Sequence, residues 1–129
     1  MGEVGQCEIV IKRQLEAVAE VRRFVRLTLG PWGMDAYIPC LVASELVANA
    51  IQYAATEQDV ITLRMSRADD GALWLEVQDP SCAIPSVPEV NLTSESGRGL
   101  FVVQALTRHW GVRPLAAGAG KVIFAILDP

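Results

Sequence analysis

Apolar and polar positions along the chain change period several times, and each change marks an element. Cys7–Lys12 alternates weakly and is rich in β-branched side chains, which predicts a first strand at a sheet edge. From Gln14 to Leu29 the apolar residues Leu15, Val18, Val21, Val25 and Leu29 step by three or four. That spacing predicts an amphipathic helix, with Glu16, Glu20, Arg22, Arg23 and Arg26 largely outside and Gly30-Pro31 as its stop. Asp35 is a candidate N-cap for a second helix, with Pro39 in its first turn, and the nearly continuous apolar run Leu41–Ala55 predicts that this helix is the buried one. Period two returns in Asp59–Arg67 and Ala72–Asp79, two strands joined by an Asp69-Asp70-Gly71 turn. There Val60, Thr62, Arg64 and Ser66 form a wet face opposite Ile61, Leu63 and Met65.

Pro80–Ser96 shows no period and carries three prolines, so it reads as a long loop of the kind that is more often functional than idle. Gly97–Arg108 reads as a third helix. Trp110–Pro114, an Ala116–Gly120 turn and Val122–Leu127 make a closing hairpin. The order β-α-α-β-β-loop-α-β-β does not alternate strictly, which disfavours a doubly wound parallel sheet. It predicts an α+β two-layer sandwich, a mixed and mostly antiparallel sheet with helices on one face.

The length of 129 residues is that of a single domain spanning 1–129, and with 51% apolar residues one filled core is within reach. The net charge of -4, from 11 basic and 15 acidic residues with no basic run, argues against a nucleic-acid surface. The first residues lack the pattern of a signal peptide, and no apolar stretch is long enough for a membrane helix, so a soluble cytoplasmic protein is expected. Cys7, Cys40 and Cys82 are odd in number and scattered, which speaks against a disulfide framework or a CxxC metal site; two of them sit in apolar stretches, as small core residues do.

Three constellations carry candidate chemistry. Glu45 and Asn49 are four apart, so they project from one face of the buried helix about a turn apart. They read either as a solvated stripe, or as a carboxylate base beside an amide oxygen suited to a hard cation such as magnesium. Asp79 ends a strand just before the long loop, either as a turn initiator or as an acceptor for a ligand amino group. Gly97 and Gly99 flank Arg98 at a helix start; they read either as an ordinary tight turn or as a place where backbone N–H groups approach a phosphate. No GxxxxGK[ST] occurs, and the GxG does not follow the first strand, so neither a P-loop nor a dinucleotide fingerprint is present.

Taken in order, E-x3-N on a buried helix, a strand-end Asp, a long loop and GRGL resemble the Bergerat fold of histidine kinase-like ATPases. Within it, ELVANAIQYA, DPSCAIP, ESGRGL, WGVRP and GKVIFAIL are similar to the segments of bacterial anti-sigma factors with serine/threonine kinase activity. The likeness runs over nearly the whole chain. It implies an ATP-binding regulatory protein kinase that phosphorylates a small anti-sigma antagonist, sequesters a sigma factor in one nucleotide state, and forms a homodimer.

Carried over position by position, the resemblance makes Asn49 the Mg²⁺ ligand. Glu45 becomes the general base or orienting group, a role helped by burial, which makes a carboxylate a better proton acceptor. Asp79 accepts from the adenine amine, while Gly97, Arg98, Gly99 and Leu100 line the triphosphate and Pro80–Ser96 forms the lid. The chain departs from the pattern at Tyr53, where His is usual, and at Gln52, often Arg. A nucleotide-gated interaction module with little or no phosphotransfer is therefore the alternative, and a scaffold that binds no nucleotide a third. Lys121 reads as a solvated turn residue, or else as a reach to the γ-phosphate. His109 reads as a capping or surface residue, and Trp32, Trp74 and Trp110 as core.

Overall fold

The computed structural model describes residues 5–14, 16–52, 60–81 and 95–129, with the backbone alone for 95–99. Leu15, Tyr53–Ala55, Asp59, Cys82 and loop positions 82–94, all used in the sequence reading, lie outside the described residues.

The elements in chain order are β1 (Gln6–Lys12), α1 (Ala17–Leu29), α2 (Tyr37–Gln52), β2 (Val60–Arg67), β3 (Leu73–Asp79), α3 (Glu95–Leu106), β4 (His109–Pro114) and β5 (Lys121–Leu127). The strands form one five-stranded sheet in the order β1-β2-β3-β5-β4. Every pairing is antiparallel, so the parallel component of the expected mixed sheet is not found among the described strands. The reason is the placement of β5: it inserts between β3 and β4, running against both.

The helices cover one face. Along β2 and β3 the alternate residues Ile61, Leu63, Met65, Leu73, Leu75 and Val77 are fully buried against them. From α1 the stripe Val21, Val25 and Leu29 joins the same core, and α2 contributes Val42, Leu46, Val47 and Ala50. Helix α2 packs against α1, α3 and the sheet, which buries most of it and leaves the narrow stripe Tyr37, Leu41, Ala48 and Gln52 exposed; its sequence shows no clear polar stripe.

The other face of the sheet is open and polar. On it Arg64 donates to Glu8 and Gln78, and Arg113 to Glu76. Trp74, expected in the core, also stands on this face, stacked on Phe124 with ring centroids 6.3 Å apart. Period two assigns it there, between buried Leu73 and Leu75. Trp32 and Trp110 are half-buried and pack on the core, and exposed His109 leans on Phe124.

Two ends differ from expectation. Gly30 keeps a right-handed conformation, φ -54°, and the left-handed residue that turns the chain after α1 is Gly33, at φ +69°. Helix α3 starts at Glu95, so Gly97 and Arg98 fall inside its first turn and Gly99 begins its second, rather than lying ahead of the helix. Asp35 does cap α2, its Oδ1 accepting the Tyr37 N–H at 2.8 Å.

Candidate functional site

The chain's polarity decides where the candidate residues meet. Ile38 near the start of α2, Leu106 at the end of α3, Leu73 at the start of β3 and Leu127 at the end of β5 line a single cavity. Those four termini therefore share one end of the sandwich. The elements are ~18–24 Å long by their rise per residue, so their opposite termini share the other end. That second end gathers Asn49, the first turn of α3, Asp79 and Lys121.

Glu45 and Asn49 stand one turn apart on α2, both half-buried rather than fully exposed or fully enclosed. Leu46 and Ala50, the residues after each, are buried core. The Asn49 Oδ1 atom is itself buried and has no hydrogen-bond partner among the described residues. A lone buried carbonyl oxygen costs about 1–3 kcal/mol of desolvation unless something supplies a positive partner. A hard cation that takes oxygen donors is such a partner, so this atom fits magnesium.

Asp79 ends β3 with its side chain on the helix-covered face, 2% exposed. Its two oxygens are treated differently. Oδ1 accepts the Ser81 N–H at 2.8 Å and the Lys121 ammonium at 3.0 Å, whereas Oδ2 is buried without a partner among the described residues. The orphaned oxygen of an ionised carboxylate accepts only donors, so it fits an amino group. The turn-initiator reading describes Oδ1, which takes the Ser81 N–H, while Oδ2 is an acceptor with no partner among the described residues.

Lys121 was missed. Expected as a solvated turn residue, it is 1% exposed, pairs with Asp79 and donates to the Ser81 carbonyl at 3.1 Å. The cause is register: Asp79 and Lys121 are cross-strand partners on β3 and β5, both pointing inward. Only the non-local pairing of those strands reveals it, although the glycine before it was a signal. Gly120 has φ +118°, and a Cβ there would lie 2.1 Å from the Asp79 carbonyl oxygen. Only glycine lets β5 start this close to the end of β3.

The Gly97-Arg98-Gly99 backbone is helical and opens α3, and Leu100 is buried at 3% exposure. The first four N–H groups of a helix have no intrahelical acceptor and carry the positive end of its dipole, so this turn offers donors to an anion.

Similarity to known proteins gives the family and the fold. Residues 11–126 match the family described as the histidine kinase-like ATPase domain. The chain belongs to that family. As a histidine kinase-like ATPase domain it is an ATP-binding domain. Its fold is similar to the RsbU and RsbW domains of Rv1364c from Mycobacterium tuberculosis, with a TM-score of 0.72 and 18% identity over 96% of this chain and 32% of that one. It is also similar to the histidine kinase domain of the blue-light activated histidine kinase EL346 from Erythrobacter litoralis, with a TM-score of 0.52 and 22% identity over 85% of this chain and 59% of that one. The ATPase domain thus spans about a third and about three-fifths of these two solved chains. No curated protein matches the sequence. Among the described residues no helix is long and apolar enough to cross a membrane.

Proposed function

We propose that this ATPase domain is an anti-sigma-type serine/threonine protein kinase. It binds a magnesium nucleotide, phosphorylates a small antagonist protein, and holds a sigma factor in one nucleotide state. The observation that carries the nucleotide site is the pair of orphaned buried oxygens, Asn49 Oδ1 and Asp79 Oδ2, at the end of the sandwich where α3 begins. The anti-sigma part rests on the ELVANAIQYA, DPS, ESGRGL, WGVRP and GK segments, and on the likeness in fold to a chain that contains an RsbW domain.

In this reading Asp79 takes the adenine amine through Oδ2, and Asn49 presents Oδ1 to the magnesium. Gly97, Arg98, Gly99 and Leu100 line the phosphates, with the first-turn N–H groups of α3 directed at them. The bound magnesium nucleotide supplies the transferable phosphoryl group and the neutralisation of its own charge. Glu45, one turn before Asn49, takes the proton of the attacking hydroxyl. Phosphoryl transfer depends mainly on positioning and charge, so so short a set of residues is sufficient. The kinase acts as a homodimer in the cytoplasm.

Calorimetric titration with ATP, with and without Mg²⁺, tests the site. Wild type binds in a magnesium-dependent way. Asn49→Ala loses the magnesium-dependent part, and Asp79→Asn loses ~1–3 kcal/mol from the mispaired base. Absence of binding up to millimolar ATP removes the kinase reading. Tyr53 and Gln52, where the anti-sigma kinases carry His and often Arg, favour a second reading in which ATP gates partner binding without phosphotransfer. Labelled phosphate appearing on a serine of the antagonist, and lost in Glu45→Ala, selects the kinase. Binding with no transfer selects the gate.

A further inference from the structure

The Asp79–Lys121 pair does more than fill the core end of the sheet. We propose that Lys121 is a positioning residue for base recognition: its hold on Asp79 Oδ1 makes Oδ2 an acceptor only, and so makes the site select a 6-aminopurine nucleotide over a 6-oxopurine one. This rests on the reading of Asp79 as the group that meets the base.

The chemistry follows from what a buried carboxyl group can do. Ionised, it only accepts hydrogen bonds. Once protonated it becomes a donor as well, and then serves a 6-oxo group as readily as a 6-amino group. Asp79 is 2% exposed, and the charge compensating its carboxylate is the Lys121 ammonium at 3.0 Å. Both groups that reach Oδ1 are donors, so the carboxylate is held as an acceptor.

Orientation follows from the same contacts. The Ser81 N–H and the ammonium both fall on Oδ1, and Lys121 is anchored in turn by the Ser81 carbonyl at 3.1 Å. Three contacts thus close a ring of Asp79, Ser81 and Lys121 around one oxygen. The carboxylate plane is held, and Oδ2 is left buried and empty. The backbone is shaped for this ring: Gly120 packs where a side chain would strike the Asp79 carbonyl oxygen and Pro80, bringing the start of β5 against the end of β3.

The test compares ATP, ITP (6-oxo) and purine riboside triphosphate (no 6-substituent) by calorimetry. The proteins are wild type, Lys121→Met, Lys121→Gln, Asp79→Asn, and Asp79→Asn combined with Lys121→Met. Wild type prefers ATP to ITP at least tenfold. Lys121→Met and Lys121→Gln bring that ratio within threefold of unity, the Gln variant keeping a donor but no charge. In the Asp79→Asn background Lys121→Met changes the ratio less than twofold, because it acts through Asp79 and not on the base. A folded Lys121 variant that keeps the wild-type ratio overturns the proposal. Because loss of the ammonium can unfold the chain, the wild-type protein supplies a second readout. Its ¹⁵N-labelled Lys121 ammonium signal stays resolved and protected from solvent at neutral pH when ATP is bound. Release of that signal on ATP binding overturns the proposal too. If wild type binds all three nucleotides equally, the base-binding role of Asp79 falls with it; if wild type discriminates and the Lys121 variants do as well, only the role of Lys121 falls.

Discussion

Replacing Gly120 by Ala probes the contact that joins the two ends of β3 and β5, and Gly33→Ala is its internal control. Both glycines have positive φ, +118° and +69°. Around Gly33 an added methyl group meets nothing within 4 Å, so Gly33→Ala carries backbone strain alone, roughly 1–2 kcal/mol, partly offset by ~0.4–1 kcal/mol from a stiffer unfolded chain. At Gly120 the strain is joined by overlap with main-chain atoms: 2.1 Å to the Asp79 oxygen and 2.8 Å to Pro80 Cα. Ordinary contact begins at 3.4 Å, so the strands must part by 3.4 − 2.1 = 1.3 Å. Neither partner is a flexible side-chain tip. Strain of about 1–3 kcal/mol and overpacking of about 1–3 kcal/mol give a net loss of about 3–5 kcal/mol. Urea unfolding measures it: at a slope of ~2 kcal/mol per molar, the midpoint falls by about 1.5–2.5 M, against about 0.5 M for Gly33→Ala. Equal losses in the two variants refute the reasoning, since the overlap would then cost nothing.

Leu46→Ala removes a fully buried side chain of α2 and costs about 2–5 kcal/mol by thermal or urea unfolding, whereas Leu27→Ala, at a position 66% exposed, stays within about 0.5 kcal/mol. The Ala72 N–H and then Arg108 hold the Asp70 carboxyl below its ordinary value. A depressed carboxyl stabilises the fold above its unfolded value and ceases to do so as pH falls through the folded one. Asp70→Asn should therefore be less stable than wild type at pH 7 and converge with it as pH falls below ~4, a narrowing that urea unfolding across pH would show. Burial raises the Cys40 thiol against the opposing pull of Arg26 and Arg22, so Cys40 reacts with a thiol reagent at pH 8 more slowly in the folded chain than in urea, as peptide mass mapping would show.

How much of this was legible beforehand depends on the range of the interaction that decides it. The β2–β3 hairpin is local: alternation gives its faces, and its Asp-Asp-Gly turn closes with the Gly71 N–H on the Ala68 carbonyl. The apolar run of α2 announced burial, and the order of motifs announced the family. Lys121 was beyond reach because nothing in Gly120-Lys121-Val122 says that Asp79, 42 residues earlier, is its cross-strand neighbour. The mostly antiparallel sheet was legible, but that every described pairing is antiparallel depends on where β5 inserts. Trp74 was misjudged differently: size argued for the core, while its place between Leu73 and Leu75 argued for the other face, and period prevailed over size. The candidate residues could be picked out of the sequence, but the different contacts of the two oxygens of Asp79 depend on three-dimensional pairing.

The insertion of β5 between β3 and β4 also sets an order of assembly. The β2–β3 and β4–β5 hairpins each close over a short turn, but joining them pairs Leu73 with Leu127 and Asp79 with Lys121. That step closes a long loop and is the slow, entropically costly one in a sheet of this kind. Until it is complete, Asp79 lacks the Lys121 ammonium and the base site proposed above is not assembled. Nucleotide therefore has nothing to bind on the way up the folding barrier: it slows the unfolding arm of the chevron and leaves the refolding arm where it was. Occupancy would then protect the domain as a matter of lifetime, keeping a folded molecule folded without helping a new one to form.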